Sequence, residues 1–155
     1  MVKTMQVIQK LINELGIELG LEGLTLDEFG YCCLEFPEKT INLEADEQGT
    51  VFAYAHLGSL PEQDREDFYA KLLEANYFCQ ETGGGTIGID REANVVVLMM
   101  QTHVAMLNSG DLHRVLQNFI NVAVTWSQRV ESFSGAGDQT GEPRLADHPP
   151  FGLRV

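Results

Sequence analysis

Residues 72–101 read LLEANYFCQETGGGTIGIDREANVVVLMMQ and contain, in order, a helix end, a glycine turn and two strands. The helix is predicted to end near Tyr77, after apolar residues at helical spacing. Residues 86–90 and 94–101 read as strands, and the short link between them is typical of a hairpin. Because the second strand is apolar on both faces, we expect it at the centre of a sheet or against another subunit.

The glycine run Gly83–Gly85 raises the question of a phosphate-binding loop. A P-loop follows a strand, opens a helix and carries a lysine after its glycines. Here no lysine follows, and the order is helix and then strand, so the helix N-terminus that would hold a phosphate is absent. We interpret the glycines as a helix exit that needs residues at positive φ.

Upstream of this stretch, periodicity predicts one helix, one loop and three strands. Residues 3–15 carry apolar side chains at steps of three and four, Gly16 is a natural helix stop, and residues 16–30 read as a loop. Three segments then alternate in the manner of strands, and their short links predict an antiparallel meander. These segments are residues 31–36, 40–45 and 51–57.

Two further helices complete the pattern. Ser59 and Glu62 have the spacing of a capping box, so the second helix is predicted to begin near Ser59. A third helix is predicted to begin at a cap formed by Asn108 or Ser109 and to be the longest element. The chain is therefore predicted to be an α+β protein, an α-β-β-β-α-β-β-α sandwich of helices on an antiparallel sheet.

The predicted elements end near residue 133, which divides the chain in two. Residues 1–133 are predicted to form the α+β domain. Residues 134–155 hold three of the five prolines and four glycines, a composition that predicts a flexible C-terminal tail. The end of this tail, PPFGLRV, is apolar enough to dock when a partner is available.

The charge of the chain limits its partners. There are 23 acidic and 10 basic side chains, a formal net charge of −13, and such a surface repels nucleic acids and anionic membranes. Neutral or basic polypeptides are the expected partners. No signal peptide or long apolar run is visible, and Cys32, Cys33 and Cys79 are predicted to be reduced, buried thiols of a cytoplasmic protein.

No motif in the sequence requires an enzyme, a metal or another cofactor. The cysteines and histidines lack the paired spacing of a metal site. An enzymatic alternative would be a small acid–base hydrolase that uses Asp90 or Glu92 with His103. We disfavour this alternative because the sequence gives no sign of an apolar pocket that would raise the pKa of a carboxyl group.

One strand face is unusual for an exposed surface. Alternation places Phe52, Tyr54 and His56 on one face, together with Tyr31 and Cys33 of the first strand. If the opposite face packs under the helices, these side chains point outward, as they do on sheets that bind peptides. The alternative is that a second subunit or a helix covers them.

Three stretches of the chain resemble the class I type III secretion chaperones, the Tir chaperone family. They are residues 19–36 (LGLEGLTLDEFGYCCLEF), residues 72–100, and the terminal helix from Asp111 to Phe133. The length, the acidity and the order of elements agree with this resemblance, whereas the tail is long for the family.

The resemblance implies a bacterial cytoplasmic homodimer without catalytic activity. Such a chaperone binds the N-terminal segment of a secreted effector in extended form, keeps it soluble and makes it available to the secretion ATPase. In the family the second helix and a late strand form the dimer contact, and effectors bind over the first helix and the first three strands. The implied dimer residues here are Phe68, Leu72, Ala75, Val95, Val97 and Met99. The implied partner-binding residues are Val7, Leu11, Leu34, Phe36, Phe52 and Tyr54.

A regulatory role is the alternative within the same fold. Some members of the family sequester an anti-activator and so couple secretion to transcription. The sequence does not separate this role from that of an effector chaperone.

Overall fold

The computed structural model describes residues 2–21, 23–107 and 109–133, which form three α-helices and five β-strands in the predicted order. The helices are α1 (Val2–Leu19), α2 (Arg65–Asn76) and α3 (Ser109–Phe133). The strands are β1 (Tyr31–Glu35), β2 (Thr40–Ala45), β3 (Thr50–Ser59), β4 (Thr86–Asp90) and β5 (Val95–His103). Short 3₁₀ turns follow α2 at Tyr77–Cys79 and β5 at Val104–Met106. The predicted tail and the predicted cap Asn108 lie outside the described residues.

The five strands form one antiparallel sheet in the order β1-β2-β3-β5-β4. This order confirms the predicted fold class and the meander of the first three strands. It also confirms the central position of the last strand, since β5 pairs with β3 on one side and with β4 on the other.

One face of the sheet packs under the helices and forms the core. Alternate residues of β3 are buried there, beginning with Val51 and Ala53, and the apolar stripe of α1 lies in the same cluster through Ile8, Ile12 and Leu15. Each fully buried aliphatic side chain of this kind contributes about 1.5–3 kcal/mol relative to an exposed one. The period of two in β3 and the period of 3.6 in α1 therefore meet on a single apolar surface.

The predicted end of the first helix at Gly16 is wrong, because α1 continues to Leu19. A Cβ atom at position 16 would lie 2.8 Å from the carbonyl oxygen of Leu21 and 2.8 Å from Cβ of Leu24. Gly16 thus lets the following loop pack tightly against the helix. The helix ends instead at Gly20, which adopts the left-handed conformation with φ of 71°.

The predicted capping box at Ser59 is also wrong. Ser59 is the last residue of β3 and pairs with Val95, so strand pairing outweighs the local cap signal. The helix α2 begins at Arg65, after Asp64 in the left-handed conformation, and the Arg65 side chain donates a hydrogen bond to the carbonyl of Pro61. The predicted end near Tyr77 is confirmed, since α2 ends at Asn76.

The glycine turn after α2 is fastened to α3. The indole N–H of Trp126 donates a hydrogen bond of 2.9 Å to the carbonyl of Glu81, and the Arg129 guanidinium pairs with the Glu81 carboxylate. Gly83 and Gly84 adopt positive φ angles of 60° and 91°, as predicted for a helix exit. The glycines therefore supply backbone geometry at a turn that α3 holds in place.

Candidate partner-binding face

The face of the sheet opposite the core is called the outer face, and its side chains align in rows across the strands. One row from β4 to β1 consists of Thr86, Met99, Tyr54, Asn42 and Cys33. The next row, from β5 to β1, consists of Gln101, Phe52, Glu44 and Tyr31. Phe52 and Tyr54 are half-buried, and Met99 is 37% exposed. The predicted placement of the aromatic side chains opposite the core is thus confirmed.

Hydrogen bonds fix the polar groups of this face. The Tyr31 hydroxyl donates a bond of 2.7 Å to Oδ1 of Asn42, a side chain that is only 2% exposed. The Tyr54 hydroxyl donates a bond of 3.1 Å to the Glu44 carboxylate. Because these polar groups have partners within the sheet, the face presents a defined shape before any partner arrives.

Burial raises the pKa values of three weakly acidic side chains in and beside this network. Burial, assisted by the neighbouring Cys33 thiol, raises the pKa of Tyr31 to about 12. Burial also raises the pKa of Tyr54, with the Glu44 carboxylate as the second cause, and burial raises the pKa of the Cys33 thiol. These three side chains are therefore neutral near pH 7, so the outer face is uncharged at these positions, next to the Glu44 carboxylate, on a chain with a net charge of −13.

The two edges of the sheet differ in how their backbone groups are satisfied. At the β4 edge, the Asn76 side chain donates to the carbonyl of Ile87 and accepts from its N–H, both at 2.8 Å. At the β1 edge, Asp27 makes the equivalent pair of bonds with the backbone of Tyr31. Alternation along β1 then directs the backbone groups of Cys33 and Glu35 away from β2. The β1 edge is thus closed at one end and available beyond it.

A cavity of about 480 Å³ lies beside this available edge. It forms where β3 bulges between His56 and Gly58, next to the turn that joins β1 to β2. Its apolar lining comes from Phe36, Pro37 and Val95, and Glu35, Glu38 and Thr40 add polar groups. A glycine within a strand is a known signal of such a bulge, so Gly58 could have indicated it from the sequence.

A sequence model of the Tir chaperone protein (CesT) family matches residues 10–127, which is most of the chain. The chain belongs to the Tir chaperone family. The resemblance seen in the sequence is thereby confirmed. The Chlamydia pneumoniae protein CPj0713/CpB0740 is 29% identical over 123 residues, which cover 77% of this chain and 93% of that relative.

Solved structures share the Tir chaperone fold seen here. The ExsC–ExsE complex contains a chain with a TM-score of 0.71 and 22% identity, covering 81% of this chain and 95% of that one. A chain of the HopA1–SchA chaperone–effector complex has a TM-score of 0.69 and 15% identity, and the match covers 83% of this chain and 98% of that one. A chain of the complex of the Yersinia pestis type III secretion chaperone SycH with a fragment of YscM2 has a TM-score of 0.62 and 24% identity. That match covers 76% of this chain and 98% of that one.

The partner-binding residues implied by the Tir chaperone resemblance do not share one surface. Phe52 and Tyr54 lie on the outer face, and Phe36 lines the cavity. Val7 of α1 is 50% exposed, whereas two of the six lie in the core. These two are Leu11, which is 9% exposed, and Leu34, which is 1% exposed. In this conformation a partner can contact Phe52, Tyr54, Phe36 and Val7, but it cannot contact the buried Leu11 and Leu34.

The implied dimer residues divide in the same way. Val97 and Met99 of β5 are partly accessible on the outer face. The other four are each 5% exposed or less: three belong to the core, and Val95 lines the cavity. These four are Phe68, Leu72, Ala75 and Val95. The buried stripe of α2 thus serves its own core, and contact with a second chain would have to use neighbouring side chains.

An apolar surface at the end of α2 was not found from the sequence. Leu73 is 71% exposed, and the following Tyr77 and Phe78 are 69% and 77% exposed. The two aromatic rings pack edge to face with centroids 4.6 Å apart. Phe78 and Cys79 both adopt left-handed φ angles, 54° and 51°, a conformation that costs about 1–2 kcal/mol for each such residue. The sequence signal was the four-residue spacing of Leu73 and Tyr77.

The groups of the enzymatic alternative are far apart. Asp90 faces Val95 at the start of β5, and His103 is the last residue of that strand, about 26 Å away at the usual rise per residue. The Asp90 carboxylate accepts hydrogen bonds from the backbone of Glu92 and Ala93, so it shapes the hairpin turn. Within the part of the chain that the structure describes, no group of three potential metal ligands comes together.

Two further observations concern cysteines and membranes. All three cysteines are free, as predicted, but only Cys32 is buried, whereas Cys33 and Cys79 are half-exposed. Among the described helices, none combines the length and the apolar character needed to cross a membrane.

Proposed function

We propose that this protein is a cytoplasmic type III secretion chaperone that holds an extended N-terminal segment of a secreted effector, keeps it soluble and catalyses no reaction. The observation that carries this proposal is the outer face. Its half-buried Phe52 and Tyr54 form uncharged, pre-arranged surface beside an available strand edge. A family whose solved relatives include a chaperone–effector complex supports the same conclusion.

An extended segment can bind at the β1 edge by adding a strand to the sheet. The backbone groups of Cys33 and Glu35 would pair with the segment, and alternate side chains of the segment would lie over the outer face. Main-chain pairing supplies affinity for many sequences, and the aromatic rows select apolar side chains. A segment that is unfolded beforehand can wrap a large area, although ordering it costs part of the binding free energy.

The charge of the chain fits this role. A net charge of −13 steers basic segments toward the protein and keeps loaded complexes apart from one another. The Tyr31, Phe52 and Tyr54 side chains of the outer face carry no charge, so covering them with the segment desolvates no charged group. Long-range attraction and short-range apolar contact are thus supplied by different parts of the surface.

A homodimer is part of the proposal, and its contact is placed on the exposed end of α2. Leu73, Tyr77 and Phe78 form a cluster of large exposed apolar side chains, the kind of surface that soluble proteins usually cover. The left-handed backbone at Phe78 and Cys79 holds the rings outward, and such strain is typical of sites where function requires it. Val97 and Met99 can extend the contact along the sheet.

The test is co-purification with the partner from cells that produce the secretion system. The variant Phe52→Lys with Tyr54→Lys adds two charges to the outer face, and the ammonium group introduced at position 52 would face the opposite charge of Glu44 on β2. We expect the amount of secreted partner captured to fall at least tenfold, a loss of about 1.4 kcal/mol or more. The partner is identified by mass spectrometry.

The control variant Gln117→Lys with Gln128→Lys adds the same charges at exposed positions of α3. It should capture the partner as the wild type does, and both variants should melt within about 5 °C of the wild type. Undiminished capture by the outer-face variant would remove this face as the binding site. Capture of a cytosolic regulator in place of a secreted protein would favour the regulatory alternative.

A further inference from the structure

The cavity beside β1 lies against the C-terminal end of α3. Gly58, which lines the cavity, approaches Val130 so closely that a Cβ atom on the glycine would lie 2.9 Å from a Val130 methyl carbon. Lys39, also in the lining, has its pKa lowered by burial, and the Glu131 carboxylate opposes that shift. Val130 and Glu131 precede the end of α3 at Phe133 by three and two residues.

The segment that follows α3 starts three residues after Glu131, whose carboxylate acts on Lys39 of the cavity lining. Phe133 packs on Phe68 of α2 with ring centroids 5.1 Å apart, which anchors the last described residue. Residues 134–155 continue from there and lie beyond the family match at residues 10–127. The HopA1–SchA and SycH relatives are covered over 98% of their own chains, but they cover only 83% and 76% of this one.

The end of this segment has the chemistry that the cavity requires. In PPFGLRV, residues 149–155, the prolines favour extended backbone, and in an extended chain Phe151 and Leu153 point to the same side. Arg154 then points to the other side. Aromatic and aliphatic side chains suit a lining of Phe36, Pro37 and Val95, and the arginine suits the carboxylates of Glu35 and Glu38 at the same cavity.

We propose that residues 149–155 of the same chain dock in this cavity, with Phe151 and Leu153 in the apolar lining, and compete with an incoming partner for the β1 edge. The cavity of about 480 Å³ falls in the range of sites that take a few side chains. The competition rests on the proposed function, because Phe36 and Glu35 border both the cavity and the edge. The docking itself does not depend on it.

Because residues 134–148 join the docking segment to the same chain as the cavity, even a weak contact would be well occupied. Residues 134–148 join Phe133 to Pro149, and a random coil of that length has an average end-to-end distance of about 19–23 Å. A tether of this length gives an effective concentration in the millimolar range. A segment with a dissociation constant of about 0.1 mM would thus occupy the cavity most of the time and weaken a competitor about tenfold.

The experiment uses the full-length protein labelled with ¹⁵N and needs no effector. The docking variant carries Phe151→Ser and Leu153→Ser, and the control variant carries Leu145→Ser and Ala146→Ser in the same segment. We expect backbone amide resonances of Glu38, Thr40 and Gly58 to shift in the docking variant and to stay in place in the control. A synthetic peptide of residues 146–155 should bind the docking variant about tenfold more tightly than the wild type.

Identical resonances in the wild type and the docking variant, or equal affinities for the peptide, would overturn the proposal. Shifts that grow with protein concentration would place the segment on a second copy and contradict docking within one chain. Because the partner is absent from these measurements, a failure here leaves the chaperone proposal intact. A failure to capture any effector, conversely, leaves the docking result unchanged.

Discussion

Substituting single glycines by alanine should destabilise the fold for two different reasons, backbone strain and steric overlap of the new Cβ atom. Gly30 has a φ of 82°, and a Cβ atom there would lie 2.6 Å from the carbonyl oxygen of Ala45, so Gly30→Ala should lose about 2–4 kcal/mol. Gly20→Ala meets strain alone and should lose about 1 kcal/mol. Gly88→Ala, in β4 with open space, should be nearly neutral. Urea denaturation of the three variants checks this order, and equal losses would contradict it.

The raised pKa values of a cysteine thiol and a tyrosine hydroxyl predict that the protein loses stability at alkaline pH. Burial raises the pKa of Cys32 from 9.0 to about 12 and that of Tyr31 from 10.0 to about 12. Since the folded state holds these protons more tightly than the unfolded state, their contribution is complete below about pH 9 and is lost as the pH rises toward about 12. The free energy of unfolding should therefore fall over this range.

Substitution of the thiols isolates the contribution of Cys32. The Cys32→Ala variant should show a shallower fall in the free energy of unfolding above about pH 9 than the wild type. The Cys79→Ala variant changes a half-exposed thiol and serves as the control. Equal slopes for the wild type and Cys32→Ala, measured by urea denaturation across this pH range, would contradict the assignment.

Whole helices and strands were predictable from the sequence because burial on one face imposes a period. The segments 31–36, 40–45 and 86–90 match the observed strands within a residue, and α3 spans 25 residues where a long helix was expected. The ends were less predictable, because they depend on distant contacts. Ser59 pairs with Val95, far along the chain, and Gly16 packs on a loop. The local capping signal at Ser59 and the stop signal at Gly16 therefore did not set the helix ends.

The Asn76 side chain at the end of α2 closes the β4 edge, and this contact also depends on distant pairing. The Asn76→Ala variant leaves the N–H and carbonyl of Ile87 without their partner, which should cost about 1–3 kcal/mol. Hydrogen exchange of the Ile87 amide should be faster in this variant. The variant Gln117→Ala, at an exposed position of α3, should leave that rate unchanged, and unchanged exchange in Asn76→Ala would refute the role.

For the whole molecule, the outer face was predictable and the surfaces used by partners were less so. Strict alternation placed Phe52 and Tyr54 opposite the core. Alternation in β1 also placed Leu34 on the core side, opposite Tyr31 and Cys33, whereas the burial of Leu11 and the exposure of Leu73 depend on how α1 and α2 pack. The cavity lies at the bulge of β3, which Gly58 could have indicated, but its shape depends on the pairing of β3 with β5 and on the turn after β1.

The dimer contact is tested by sedimentation. The wild type should sediment as a dimer at micromolar concentration, and the variant Leu73→Glu with Phe78→Glu should dissociate, with at least a 30-fold weaker association for a loss of about 2 kcal/mol. The control variant Ile17→Glu with Met106→Glu alters two other exposed apolar positions and should remain a dimer. A wild-type monomer, or an unaffected Leu73/Phe78 variant, would contradict this contact.

The most direct measurement is hydrogen exchange of the protein with and without its captured partner. Strand addition at β1 predicts that the amides of Cys33 and Glu35, which point away from β2, exchange at least about tenfold more slowly in the complex. The Asn76-closed edge at Ile87 should show no such change. Slower exchange elsewhere, with the amides of β1 unchanged, would contradict the claim that the partner binds as an extended strand at this edge.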